Sequence, residues 1–145
     1  MWALPVCLEN SPGKKSKMYY FLSKIFTNIL WFKSDAVNEI YLTFDDGPHP
    51  EYTLQILDIL KFYQAHATFF LTGENADRFP QIVNQIHEHG HSIGLHSYSH
   101  PRFIGKSRQF ILSEITKTQN TIRKIINKQA SFFRPPYGQF TPQML

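Results

Sequence analysis

The sequence predicts an α/β fold built on a parallel sheet. Three observations predict it. Short apolar runs rich in β-branched and aromatic residues recur along the chain, each stopping at polar or charged residues. Stretches with apolar residues at helical spacing separate these runs. The chain has 145 residues, enough to bury one core, so a single domain is the natural expectation. Strands alternating with helices imply parallel pairing, because a parallel crossover needs a helix-length connection. In such sheets the carboxyl ends of the strands are where functional residues gather.

The first strand is Ile40-Tyr41-Leu42-Thr43-Phe44, and it runs into Asp45-Asp46-Gly47-Pro48. Neighbouring side chains on a strand point to opposite faces, but a turn beginning at Asp46 can rotate the second carboxylate back beside the first. One aspartate then binds a metal while the other handles a proton. Alternatively the four residues simply build a turn, with Asp bonding its own backbone and Gly supplying positive φ. A helix over residues 52–63 follows, with Leu54, Ile56, Leu57, Ile59 and Leu60 as its apolar stripe. A second strand, Ala67 to Leu71, is ended by Thr72-Gly73, and a helix from Pro80 to His89 starts with proline at a favourable first-turn position.

The third strand, Ser92-Ile93-Gly94-Leu95, leads into His96-Ser97-Tyr98-Ser99-His100-Pro101. An interval of four places two imidazoles on the same face of a helical turn, within reach of one ion. Pro101 limits that helix to one turn, and Ser97 and Ser99 can brace the loop by bonding to its backbone. Alone, such a pair is also found without metal. A helix over 107–127 precedes a fourth strand at Phe132-Phe133, which meets Arg134-Pro135-Pro136-Tyr137-Gly138. Arg134 keeps its charge and can grip a carboxylate with two hydrogen bonds, or it is an ordinary surface arginine. The prolines fix φ and remove donors, so the Tyr137 N–H is held in a defined direction that suits an oxyanion. Thr141-Pro142 reads as the start of another helix.

Taken together, Thr43-Phe44-Asp45-Asp46-Gly47-Pro48, His96-Ser97-Tyr98-Ser99-His100 and Arg134-Pro135-Pro136-Tyr137 resemble the first three motifs of the NodB-homology polysaccharide deacetylases, the carbohydrate esterases of family four. Their order and strand contexts match, and the resemblance runs from about Ile40 to the last residue. It implies a distorted (β/α) barrel of about seven units, of which this chain supplies about four. It also implies that Asp45 is the general base, that Asp46, His96 and His100 hold a divalent metal, that Arg134 orients Asp45 and that the Tyr137 N–H helps hold the oxyanion. One carboxylate with two imidazoles suits zinc first, while cobalt, manganese or iron can occupy the same ligands. The implied activity is metal-dependent removal of N-acetyl groups from an N-acetylglucosamine-containing polysaccharide or oligosaccharide of the peptidoglycan or chitin type. Two alternatives stand beside it: a catalytically impaired metal- or carbohydrate-binding fragment, and an O-acetyl esterase of the same family.

In that family two further motifs follow, and the last supplies the histidine that protonates the departing amine. The chain stops at Leu145 before either, and His49, His87, His89 and His91, which do not match that histidine, are expected to be solvated. The expected organisation is an amino-terminal extension over residues 1–38 and the deacetylase domain over 39–145, represented by its amino-terminal portion and truncated at its carboxyl end. A barrel interrupted in this way leaves apolar strand edges unpaired, so marginal stability or self-association is expected.

The amino-terminal extension is less informative. Lys14, Lys15 and Lys17 precede Met18-Tyr19-Tyr20-Phe21-Leu22, and Lys24 interrupts before Ile25 to Phe32. The broken apolar stretch and the lack of a small-residue cleavage site argue against a signal peptide, and the segment is too short and charged to span a membrane. A helix packed on the barrel is expected, with weak interfacial membrane association through Trp31 and Phe32 as the alternative, and Met18 is a candidate start. Either a cytoplasmic or a cell-envelope location is compatible with this. The single cysteine, Cys7, excludes an internal disulfide. The net charge of +4 is scattered rather than striped, which argues against nucleic acid and leaves a glycan as the expected partner.

Overall fold

Three short parallel strands position the polar loops. In the computed structural model the described residues are Trp2–Ala3, Ile29–Leu30, 40–141 and Met144. Strands β1 (Leu42–Asp45), β2 (Ala67–Leu71) and β3 (Ser92–Leu95) lie in the order β1-β2-β3, with Thr43 opposite Thr68 and Phe70 opposite Gly94. The expected fourth strand is reduced to a single parallel bridge between Leu95 and Phe133. The Leu95 N–H donates to the Phe132 carbonyl and the Arg134 N–H to that of Leu95, both at 2.9 Å. Pro135 and Pro136 carry no N–H, so the ladder cannot be extended past Arg134.

Helices α1 (Tyr52–Phe62), α2 (Gly73–Arg78), α3 (Pro80–Glu88) and α4 (Arg108–Ile126) connect and flank the strands. α4 starts where the Ser107 hydroxyl accepts a bond from the Phe110 N–H, and it ends at Asn127 in a left-handed conformation. Pro80 begins α3 as expected. α2 was not expected: its sequence, Gly-Glu-Asn-Ala-Asp-Arg, has no apolar periodicity. On α1 the buried face is Thr53, Leu57 and Leu60 with Ile56 beside them, whereas Leu54 and Ile59 are exposed. Spacings of three and four select that face, and the two exposed residues lie to its sides.

The core lies between the sheet and the helices, where Leu71, Val83, Ile86 and Ile122 are fully buried. Each such aliphatic side chain contributes about 1.5–3 kcal/mol on burial. Phe69 joins this core, its ring 5.1 Å from that of Phe44. Phe70 points to the opposite face of β2, and a Cβ at Gly94 would collide with its ring. Among the described residues β1 has one strand neighbour, and Ile40, Tyr41 and Leu42 are exposed there. The helix expected across Met18 to Phe32 falls outside the described residues except at Ile29–Leu30, which are extended and pair in parallel with Trp2–Ala3. Most of the helix expected from Thr141-Pro142 also lies outside them. No helix among the described residues is long and apolar enough to cross a membrane.

His91 departs from its expected solvated state. It is buried at the start of β3, its ring 5.4 Å from that of Phe69 and 5.8 Å from that of His66, and its Nδ1 has no hydrogen-bond partner. A place at a helix end and turn suggested exposure, but the position is set by the strand that follows. Burial, then the nearby His66 and His89, pushes its pKa below the ordinary value. The folded state therefore binds fewer protons here than the unfolded chain, and stability is lost as pH falls through the unfolded pKa of about 6.5. The melting temperature is expected to drop between about pH 7 and pH 5.5, with a shallower drop in His91→Gln. An unchanged slope in that variant would assign the effect to other groups.

Candidate metal centre

β1 ends at Asp45, and Asp46 takes φ 68°. Aspartate tolerates this left-handed conformation, which breaks the alternation of the strand. The turn brings Asp46 Oδ1 to 3.3 Å from His96 Nε2 and 3.1 Å from His100 Nε2. The Asn75 side-chain amide holds the turn by donating to the Asp46 carbonyl at 2.8 Å.

His96 follows β3, its N–H donating to the Leu71 carbonyl at 2.8 Å. Its Nδ1 lies 2.7 Å from the Arg134 carbonyl, which can only accept. Nδ1 therefore carries the proton, and the lone pair of Nε2 faces Asp46. Burial pushes the His96 pKa below its ordinary value and outweighs the Asp45 carboxylate, the Arg134 carbonyl bond and Asp46, which pull it up, while His100 pushes it further down. The neutral imidazole is the form that binds a cation.

The expected helical turn between the histidines is not formed. Ser97 and His100 instead take φ 66° and 56°, and the Ser97 hydroxyl accepts from the His100 N–H at 3.1 Å. Ser99 does not bond to loop backbone; its hydroxyl reaches the Glu114 carboxylate. Pro101 explains the departure, since it disfavours α geometry at His100. The two rings still converge, with centroids 5.0 Å apart.

One ligand atom from each of Asp46, His96 and His100 lies within 4.8 Å of the others. Ligands about 2.0–2.1 Å from a tetrahedral ion stand about 3.3–3.4 Å from one another, so the two carboxylate-to-imidazole distances fit a shared cation. Donor chemistry, tautomer and spacing therefore agree on a divalent ion. Beside the three residues opens a cavity of about 260 Å³ lined by Asp46, Thr72, Glu74, Asn75, Tyr98, Ser99 and His100.

Asp45 faces Arg134 rather than the imidazole pair. Arg134 Nη1 donates to Asp45 Oδ1 at 2.6 Å and to Thr43 Oγ1 at 3.0 Å, while the guanidinium carbon lies 4.0 Å from the centre of the Phe70 ring. The two-bond grip that arginine can offer is thus replaced by one shared nitrogen, and the buried Nε has no partner. The guanidinium is held over Phe70, which leaves one nitrogen facing β1. Phe70 in turn needs the open space above Gly94. Tyr137 follows two buried prolines at φ 57°, and its exposed ring lies 4.8 Å from that of His100 and 4.8 Å from the Arg102 guanidinium. All six residues singled out in the sequence are thus gathered at one end of the sheet.

Asn75 and Glu114 were missed. Asn75 sits on an aperiodic short helix, and Glu114 is a half-buried carboxylate on the inward face of α4, in line with Ile111 and Thr118, whose partner only the fold supplies. His49 is exposed, as expected, and its Nδ1 accepts from the Glu51 N–H at 3.2 Å and the Tyr52 N–H at 3.3 Å at the start of α1.

Comparison with known proteins adds an independent line. A family model described as polysaccharide deacetylase matches residues 33–145. A peptidoglycan-N-acetylglucosamine deacetylase of Bacillus cereus is 45% identical over 107 residues, covering 74% of this chain and 39% of that protein. The Bacillus subtilis peptidoglycan-N-acetylmuramic acid deacetylase PdaA is 38% identical over 145 residues, covering 99% of this chain and 55% of the relative. The solved structure of the peptidoglycan deacetylase PdaC from Bacillus subtilis superposes with TM-score 0.70 at 41% identity, over 72% of this chain and 52% of that one. The chain thus spans about two fifths to just over half of the length of these proteins.

Proposed function

This chain belongs to the polysaccharide deacetylase family, and from that premise we propose that it carries the ion-binding and base-bearing part of a hydrolase that removes N-acetyl groups from N-acetylglucosamine-containing glycans. The observation that carries the reading is the convergence of Asp46, His96 and His100 beside an aspartate already paired with a buried arginine. The relatives named for peptidoglycan N-acetylglucosamine and N-acetylmuramic acid deacetylation support a cell-wall glycan as the substrate class.

An acetamide is a poor electrophile with a poor leaving group. A divalent ion held by Asp46, His96 and His100 would supply the polarisation of the carbonyl and, if zinc, lower the pKa of water toward about 7. Zinc is the proposed ion because one carboxylate and two imidazoles suit it, with cobalt, manganese and iron as the other candidates. Asp45 takes the proton of the attacking water. Arg134 occupies its Oδ1 and leaves Oδ2 for that task. The Tyr137 N–H donates to the developing oxyanion from the rigid turn after the prolines.

None of the residues described is assigned to protonate a departing amine. The second reading is O-acetyl ester hydrolysis by the same site, since an alkoxide leaves more readily than an amine. The test is incubation of the zinc-loaded chain with chitooligosaccharide and, separately, an acetyl ester, following acetate and free amine. Release of both from the oligosaccharide is expected. Acetate from the ester alone would replace the amide reading with the esterase one, and an ion-loaded chain inert to both would be a binding fragment.

A further inference from the structure

We propose that Glu114 is a positioning residue for the metal centre, fixing from α4 the shape of the loop that carries His96 and His100. Its Oε2 accepts the Tyr98 N–H at 3.0 Å and the Ser99 N–H at 2.8 Å, and the Ser99 hydroxyl lies 3.2 Å from each of its oxygens. Two successive amides point at one carboxylate because the loop between the left-handed Ser97 and His100 forms no helical bonds of its own. A loop built this way needs an outside acceptor for them, and an anion satisfies adjacent N–H groups best.

The carbonyl side of the same loop is held independently. The N–H groups of Gly73 and Glu74, at the start of α2, donate to the Ser97 and Tyr98 carbonyls, each at 3.0 Å. A Cβ at Gly73 would collide with the Tyr98 ring, so glycine is what lets α2 approach this closely. Tyr98 is further fixed by its hydroxyl bond to Asp77 at 3.0 Å and by Lys117 Nζ 3.5 Å from its ring centre. The backbone of the loop is therefore clamped between α2 and α4.

The two histidines depend on this clamp unequally. His96 is tied to Leu71 and Arg134 and its side chain is 4% exposed, whereas that of His100 is 29% exposed and, apart from its approach to Asp46 and the His96 ring, is held by the Ser97 brace on its N–H and by the Tyr137 ring. Loss of Glu114 leaves His96 in place and frees His100. The 3.1 Å approach of His100 to Asp46 is then the distance that relaxes. Glu114 donates no ligand atom; it acts through the loop backbone.

The inference rests on the metal-centre reading and is independent of the substrate. Its test is titration of the full chain, at low micromolar concentration, with cobalt(II), read by affinity and by the visible spectrum that reports ligand geometry. Glu114→Ala is expected to weaken cobalt binding by about 10–100-fold and to alter the spectrum. Glu114→Gln is expected to recover much of both, because one amide oxygen can accept both N–H groups. Should Glu114→Ala not fold, Glu114→Asp, one methylene too short to reach both amides, is read in the same way and is expected to bind more weakly than wild type. Wild-type affinity and spectrum in the folded Ala variant, or in the Asp variant standing in for it, would overturn the inference even if the melting temperature fell. Failure of the wild-type chain to bind cobalt would overturn the metal centre itself, whereas binding without hydrolysis would count only against the proposed activity.

Discussion

Exchange of His96 for alanine is expected to abolish measurable binding of zinc or cobalt at micromolar concentrations, and with it any hydrolysis. The imidazole contributes one of three donors, and its Nε2 is held ready by the bond from Nδ1 to the Arg134 carbonyl. Outer partners of metal ligands alone are worth about 10–100-fold in affinity, so a ligand itself is worth more. The loss of Lewis-acid stabilisation amounts to several kcal/mol, or roughly three orders of magnitude in rate. The variant also leaves the Arg134 carbonyl without its partner and opens a gap where a side chain was 4% exposed. Circular dichroism must therefore show folded protein before the titration is read. A folded His96→Ala chain that binds zinc as tightly as wild type would remove the basis for the site.

Much of that site was legible because its residues lie where apolar strands stop. Ile40 to Phe44 announce a strand, and the Asp-Asp-Gly-Pro run announces the turn that places Asp46 in a left-handed conformation. The helices with clear amphipathic spacing, α1, α3 and α4, were found close to their observed limits. What sequence hid was the support. α2 has no apolar stripe, and its role comes from its N–H groups meeting a loop 24 residues later. Glu114 is one polar residue among several on α4 until the fold sets it against the histidine loop. The His-x-x-x-His interval was read as one helical turn, yet Pro101 and the Glu114 carboxylate give the same convergence by an irregular path. His91 looked solvated because it falls at a helix end and turn, while its burial follows from the sheet. Local pattern thus located the candidate residues, and tertiary contacts decided how they are held.

Replacing Asp45 by asparagine separates proton transfer from ion binding. Asn is nearly isosteric and keeps an oxygen that can accept from Arg134 Nη1, but it cannot take a proton from water. If Asp45 is the general base, turnover falls by about 10²–10⁴-fold. Affinity for the ion changes far less, because Asp45 is not among the three clustered donors, although removal of its charge makes the site less attractive to a cation. A drop confined to kcat with a near-constant KM is the signature of a group that acts in the transition state. Some stability should also be lost, since the Arg134 side chain is 6% exposed and its charge would face a neutral partner. The Asp46→Asn variant is the contrast: it should lose the ion first and activity as a consequence, and excess zinc should restore part of the rate there but none in Asp45→Asn. Full hydrolysis by Asp45→Asn would move the base to another group, while a zinc-rescued rate in that variant would make Asp45 a ligand rather than a base.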